Sequence, residues 1–151
     1  MTMPRFTGTP AMIEEVAGEL DVGYRMFVHR STGSIRSIMD LEKFIDVDED
    51  IRESTQQFLD RESVDYVEVE RWNTREEFEM MAGFAEQLAD APAVQEQLIT
   101  ALNGSKPFRN FKFIINNAGP YRQQWFAFKD ARQQAYVKKR LELLLEDDHL
   151  K

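Results

Sequence analysis

Apolar residues recur at helical spacing at both ends of this 151-residue chain, and gather into short β-branched and aromatic runs only between residues 24 and 69. Thr9 before Pro10 predicts a helix start, because the hydroxyl takes a free backbone N–H and a proline at the first helical position has none to lose. Ile13, Val16, Ala17 and Leu20 then line one face, and Gly23 supplies the stop. The runs 24–29 and 35–39 flank Ser31-Thr32-Gly33-Ser34 and predict a hairpin. Acids dominate 40–50. After them Ile51, Thr55, Phe58 and Leu59 fit one face of a short helix, and Val64 to Val69 reads as a third strand.

Helices follow. Thr74 with Glu77 predicts a capping box ahead of a stripe of Phe78, Met81, Ala82, Ala85 and Leu88. Pro92 opens a helix carrying Val94, Leu98, Ala101 and Leu102, closed by Gly104. Ser105 and Pro107 start a short one with Phe108, Phe111, Ile114 and Ile115, and residues 116–120 break it. A long final helix carries Tyr121, Trp125, Phe128, Ala135, Leu141 and Leu145. Strands early and helices late predict an α+β fold: a small antiparallel sheet of about three strands packed against a helical C-terminal half. The expected core is Ile13, Val16, Phe27, Val67, Phe78, Met81, Leu98, Phe108, Phe111, Trp125 and Phe128. Without a Gly/Ser- or Pro-rich linker, a repeat or a low-complexity tract, residues 1–151 read as a single α+β domain.

Composition narrows the function classes. With 42% apolar residues the chain can fill one core, and the lack of cysteine excludes a disulfide scaffold, a zinc ribbon and a thiol nucleophile. No apolar run reaches the ~20 residues that span a bilayer. Residues 1–6, soon followed by Glu14 and Glu15, do not form a signal peptide, so a cytoplasmic protein with no membrane association is expected. The net charge of −8 hides a polarity: residues 1–103 carry −13, residues 104–140 carry +8 with Asp130 as their one acid, and 141–151 carry −3. Such a basic, helical 104–140 segment behind an acidic 1–103 marks either a binding face or two parts held by complementary charge.

Four constellations bear on chemistry. Gly104-Ser105-Lys106-Pro107-Phe108-Arg109 sets a hydroxyl and two cations at a helix start, where free N–H groups and the dipole favour an anion. Arg122, just inside the next helix, would add a third cation. Ser105, Lys106, Arg109 and Arg122 are thus a candidate phosphate or carboxylate site. The plainer and preferred reading has Ser105 as a cap and Arg109 and Arg132 as internal partners of Asp130. Aromatics interleave with these cations as in single-stranded RNA binders. Most fall on helical stripes that belong to a core; Phe113 and Phe126 lie off them and are candidate exposed contacts. Asp46-Val47-Asp48-Glu49-Asp50 imitates a calcium loop but places Ile51 where glycine is needed and Gln57 where the closing Glu belongs, so a solvated acidic turn is expected. His29 and His149 are too far apart to pair at a metal, and His29 reads as a surface strand residue. No Walker loop, nucleophile elbow or dinucleotide fingerprint occurs, so no catalytic residue, cofactor or metal is assigned.

The stretches 101–112 (Ala-Leu-Asn-Gly-Ser-Lys-Pro-Phe-Arg-Asn-Phe-Lys) and 125–132 (Trp-Phe-Ala-Phe-Lys-Asp-Ala-Arg) resemble the bacterial uncharacterised protein family 0158, whose members carry an Arg between two Phe and then Trp-x-Ala-Phe-x-Asp-x-Arg. The Thr32-Gly33 turn and the helix start Arg75-Glu76-Glu77-Phe78 are also similar, so the likeness runs over roughly 10–145. The chain departs from the pattern at Phe113, where the family has an acid, and at Ala131, where it has Glu. The resemblance implies a fold and no activity. Three functions stay open: a non-enzymatic interaction or regulatory protein with a protein partner or a second copy, which ranks first; a single-stranded RNA binder using 104–140; and a small-anion or phosphate receptor at Ser105.

Overall fold

The computed structural model describes residues 9–149, and for 145–149 the backbone alone. The first six residues and the side chains of Leu145 and His149 lie outside the described residues. By their contacts the described residues form two compact units, 9–71 with 134–149, and 72–133.

In the first unit, α1 (Pro10–Val22) starts where Thr9 Oγ1 accepts the Met12 N–H at 3.2 Å, and ends at Gly23, left-handed at φ 115°. β1 (Arg25–His29) and β2 (Ile35–Ile38) make the expected hairpin. After α2 (Glu49–Asp60) comes β3 (Tyr66–Val69), which pairs with the free side of β1, so the antiparallel sheet runs β2-β1-β3. The third strand is shorter than its sequence predicts. Glu62–Asp65 winds into a 3-10 turn instead, where the Ser63 hydroxyl donates to the Leu59 carbonyl at 2.7 Å.

Alternation places Phe27, Ile38 and Tyr66 on one sheet face, against which α2 sets Phe58 edge-on, 5.1 Å from Phe27 and 5.1 Å from Tyr66. Met26, Val28 and Val69 are buried on the opposite face, and α1, which touches β1, buries Ile13, Val16, Ala17 and Leu20. As the central strand, β1 buries three consecutive residues. On β3, Val67 is only half-buried, contrary to its expected place in the core, and Val69 on the same face takes that place. Diagonally across β1 and β3, Arg25 grips Glu68 with two bonds of 3.0 and 2.8 Å, which raises the guanidinium pKa further above its ordinary value. His29 is half-buried rather than on the surface. Its Nδ1 accepts the Ser31 and Thr32 N–H groups at 3.1 and 3.2 Å, and its ring meets Tyr66 edge-on. The later part of α6 (Tyr121–His149) buries Val137 and Leu141 and joins Arg140 to Glu70 at 2.8 Å.

The second unit is helical: α3 (Thr74–Glu86), α4 (Pro92–Asn103), α5 (Pro107–Asn116) and the first part of α6. Its capping box lies one residue before the expected one. Asn73 Oδ1 accepts the Glu76 N–H at 2.8 Å, and Glu76 Oε1 accepts the Asn73 N–H at 3.0 Å, so Thr74 is the first helical residue. The buried stripe is Met80, Met81, Phe84, Ala85 and Leu88, and Phe78 is half-buried. Gln95 of α4 donates from Nε2 to the Ala85 carbonyl at 3.0 Å and so finishes the end of α3. Trp125 is the hub of the core, 4.9 Å from Phe111 and 5.4 Å from Phe84, with Phe128 stacked at 6.3 Å. Phe108 and Phe128 are half-buried at the margin of this core rather than inside it. On α6, Gln133, Val137 and Leu141 are buried, and Ala135 is exposed. Three antiparallel strands with helices concentrated in the C-terminal half make the fold α+β.

Candidate functional site

Helix α5 begins under constraint. Its N-cap is Lys106 at φ 50° and ψ 54°, the one non-glycine residue with positive φ among the described residues. L-residues avoid this conformation, and a following proline restricts it further. Ser105 therefore does not cap the helix with its side chain. Its carbonyl accepts Asn110 Nδ2 at 2.9 Å, and the Asn110 N–H donates to the Lys106 carbonyl at 3.1 Å.

Phe111 and Ile115 point α5 inward, and this fixes what points outward. At 100° per residue, Lys106, Arg109, Lys112, Phe113 and Asn116 fall within an arc of about 120°. All five are exposed, Phe113 to 70%. The arc continues onto α6. Arg122 Nε donates to Asn116 Oδ1 at 3.3 Å, and the Arg122 guanidinium lies 4.9 Å from the centre of the Phe126 ring. Lys129 Nζ lies 5.3 Å from the same ring. A basic ridge with one bare aromatic ring thus runs from Lys106 to Lys129, entirely within the second unit.

Of the predicted anion-binding set, Lys106, Arg109 and Arg122 line this ridge, and Ser105 faces elsewhere. It borders an open groove of about 700 Å³ between α4 and α5, with Ala93, Glu96, Thr100, Asn110 and Ile114. The charged group in that lining is a carboxylate, which repels anions. The predicted ion-pair residues are likewise placed apart. Asp130 is exposed, Arg132 lies over the Phe128 ring at 4.9 Å, and no ion pair joins Asp130 to Arg109 or Arg132 among the described residues. Lys112 reaches Glu77 at 3.9 Å, whereas no hydrogen bond or ion pair among the described residues holds the Arg109 guanidinium. Phe113 stands exposed as a contact residue must, and Phe126 is half-buried beside its two cations. Sequence reasoning missed Asn116 and Lys129 as members of this surface. Their spacing of three from Phe113 and Phe126 was the available signal.

A second surface belongs to the first unit. Phe44 stacks on Tyr24 at 5.8 Å, and Arg52 Nη2 reaches the Ile45 carbonyl at 3.4 Å, so the backbone on either side of Ile45 is anchored. The Ile45 side chain is nonetheless 84% exposed, and Glu42, Asp46, Asp48, Glu49 and Asp50 around it are exposed too. An isolated apolar residue off every helical stripe was the sequence signal here, masked by the acidic run. Among the described residues no group of three or more His, Asp or Glu is arranged to hold a metal ion, and no helix is long and apolar enough to cross a membrane.

No curated protein and no solved structure matches the chain. A family model does, over residues 4–149, nearly the whole length that the Arg109 and Trp125–Arg132 patterns punctuate. The chain belongs to the uncharacterised protein family UPF0158.

Proposed function

We propose that this protein is a non-enzymatic binding module, cytoplasmic and bacterial, whose α5–α6 ridge holds an acidic segment of a protein partner. The observation that carries the reading is Phe113: a ring 70% exposed, in the same exposed arc of α5 as Arg109 and Lys112. An exposed aromatic anchor with cations at its rim is the composition of an interface hot spot, in which apolar contact supplies affinity and charge supplies orientation and speed of encounter. The Arg109 guanidinium, held by no hydrogen bond or ion pair among the described residues, and the backbone constraint at Lys106 both lie along the same face. RNA fits less well. The Phe126 ring is occupied by Arg122 and Lys129, and a net charge of −8 opposes a polyphosphate.

Fluorescence anisotropy tests this with two labelled probes of twelve units each, a Glu/Asp-rich peptide containing three leucines and a single-stranded oligouridine, at roughly 50 mM salt where screening is weak. The expected result is peptide binding tighter than RNA binding, with Phe113→Ser weakening the peptide about tenfold, the effect of one hot-spot residue. Peptide affinity unchanged by Phe113→Ser overturns the reading, and tighter RNA binding replaces it.

A further inference from the structure

We propose that the partner of the ridge is a second copy of this chain, which presents Ile45 and its flanking acids to Phe113. The proposal rests on the ridge reading above and names its occupant. The two surfaces match in charge and in apolar content. The ridge carries Lys106, Arg109, Lys112 and Arg122 along with Phe113; on the first unit the exposed acids Glu42, Asp46, Asp48, Glu49 and Asp50 flank Ile45 in sequence and outnumber the one exposed cation among them, Lys43, and Ile51 is exposed too. Ile45 is the most exposed large apolar residue among those described, and Phe113 is exposed to 70%. Each leaves water only by finding apolar surface elsewhere. The acidic segment is also ready to dock: the stacking of Phe44 on Tyr24 and the bond from Arg52 to the Ile45 carbonyl hold its backbone while the side chain projects, so little ordering cost remains for binding.

The two patches differ, so the contact is head-to-tail: each copy offers one acidic knob and one basic ridge. Both patches are small and rich in charge, which makes the association weak, reversible and sensitive to salt.

Sedimentation equilibrium of the full chain tests this at roughly 50 and 500 mM salt, across the range in which screening shortens from weak to nearly complete. Two variants carry the argument. One disables the knob (Ile45→Ser, Asp46→Lys, Asp48→Lys) and leaves the ridge intact; the other disables the ridge (Phe113→Ser, Arg109→Glu) and leaves the knob intact. Circular dichroism verifies that each folds, as exposed substitutions allow. The expected result is self-association of the wild type that weakens at least tenfold at high salt, and monomers for each variant alone. An equimolar mixture of the variants should form a one-to-one complex and nothing larger, because it contains a single intact knob–ridge pair. A wild type that stays monomeric at low salt overturns the proposal, and so does a mixture that fails to pair. If the wild type is monomeric while the leucine-containing acidic peptide still binds, self-recognition fails and the ridge reading stands; if the peptide fails too, both fall.

Discussion

The two units solve the same problem of burying aromatic rings beside charged groups, and they solve it differently. In the first, two arginines reach acids outside their own elements. Arg25 holds Glu68 in a fork and Arg140 holds Glu70, while Arg36 covers the Phe58 ring at 4.9 Å. In the second, seven acids and seven cations cancel in number but are segregated along the chain: six acids precede Asn103, and six cations follow it. Few of them meet. Lys112 approaches Glu77 at 3.9 Å, Arg75 meets Glu79 at 3.3 Å on α3, and Arg122 and Arg132 rest over aromatic rings. A cation over a ring keeps its charge available to a third party in a way that a cation in a carboxylate fork does not. The comparison teaches that net charge says little about which cations are available; pairing geometry does.

The comparison breaks first at the cores. Trp125→Ala and Phe58→Ala should each cost about 3–5 kcal/mol, because each removes a large ring at the centre of its own aromatic cluster, 4% and 0% exposed. Urea denaturation measures both. A midpoint for either variant within error of the wild type removes that ring from its core. A smaller effect is expected at the helix caps: Asn73→Ala removes the side-chain arm of the capping box, leaves the Glu76 carboxylate on the backbone N–H at position 73, and should cost ~1 kcal/mol in the same assay. An unchanged midpoint there would show that water replaces that arm without loss. Smallest is the exposed ridge. Phe113→Ser should alter stability by no more than ~0.5 kcal/mol while abolishing most of the binding, since the ring contacts solvent. A large loss of stability would mean that Phe113 serves the fold and not a partner.

Legibility followed from the range of the interactions involved. Thr9-Pro10, the Gly23 stop, the hairpin around Gly33, and Pro92 and Gly104 bounding α4 act through their own neighbours, and each lies where the sequence places it. One-residue frame errors arose where two residues compete for one role. Asn73 outcompetes Thr74 as a cap; separately, the buried face of α3 is turned toward Met80 and Phe84 and away from Phe78, which tertiary packing and not the cap decides. Val67 was misplaced for a different reason: alternation puts Val67 and Val69 on one face, but no local pattern says that cover reaches only Val69. The candidate site was half legible. Phe113 stood out because it left its stripe, but the joining of Asn116 to Arg122 depends on how the chain reverses through residues 117–120, which no local pattern encodes. The expected attraction of Arg109 and Arg132 to Asp130 rested on charge counting alone; two residues apart on α6, Asp130 and Arg132 leave the helix on different sides, and Arg132 lies over the Phe128 ring.

Because residues 72–133 are inserted between the two stretches that complete the first unit, synthesis delivers that unit in instalments. The sheet and its first two helices leave the ribosome long before the stretch of α6 that supplies Val137 and Leu141 exists, so their apolar interior stays incomplete while the inserted helices can already close on themselves. Nascent chains stopped after residue 133 would carry a finished insert and an unfinished host.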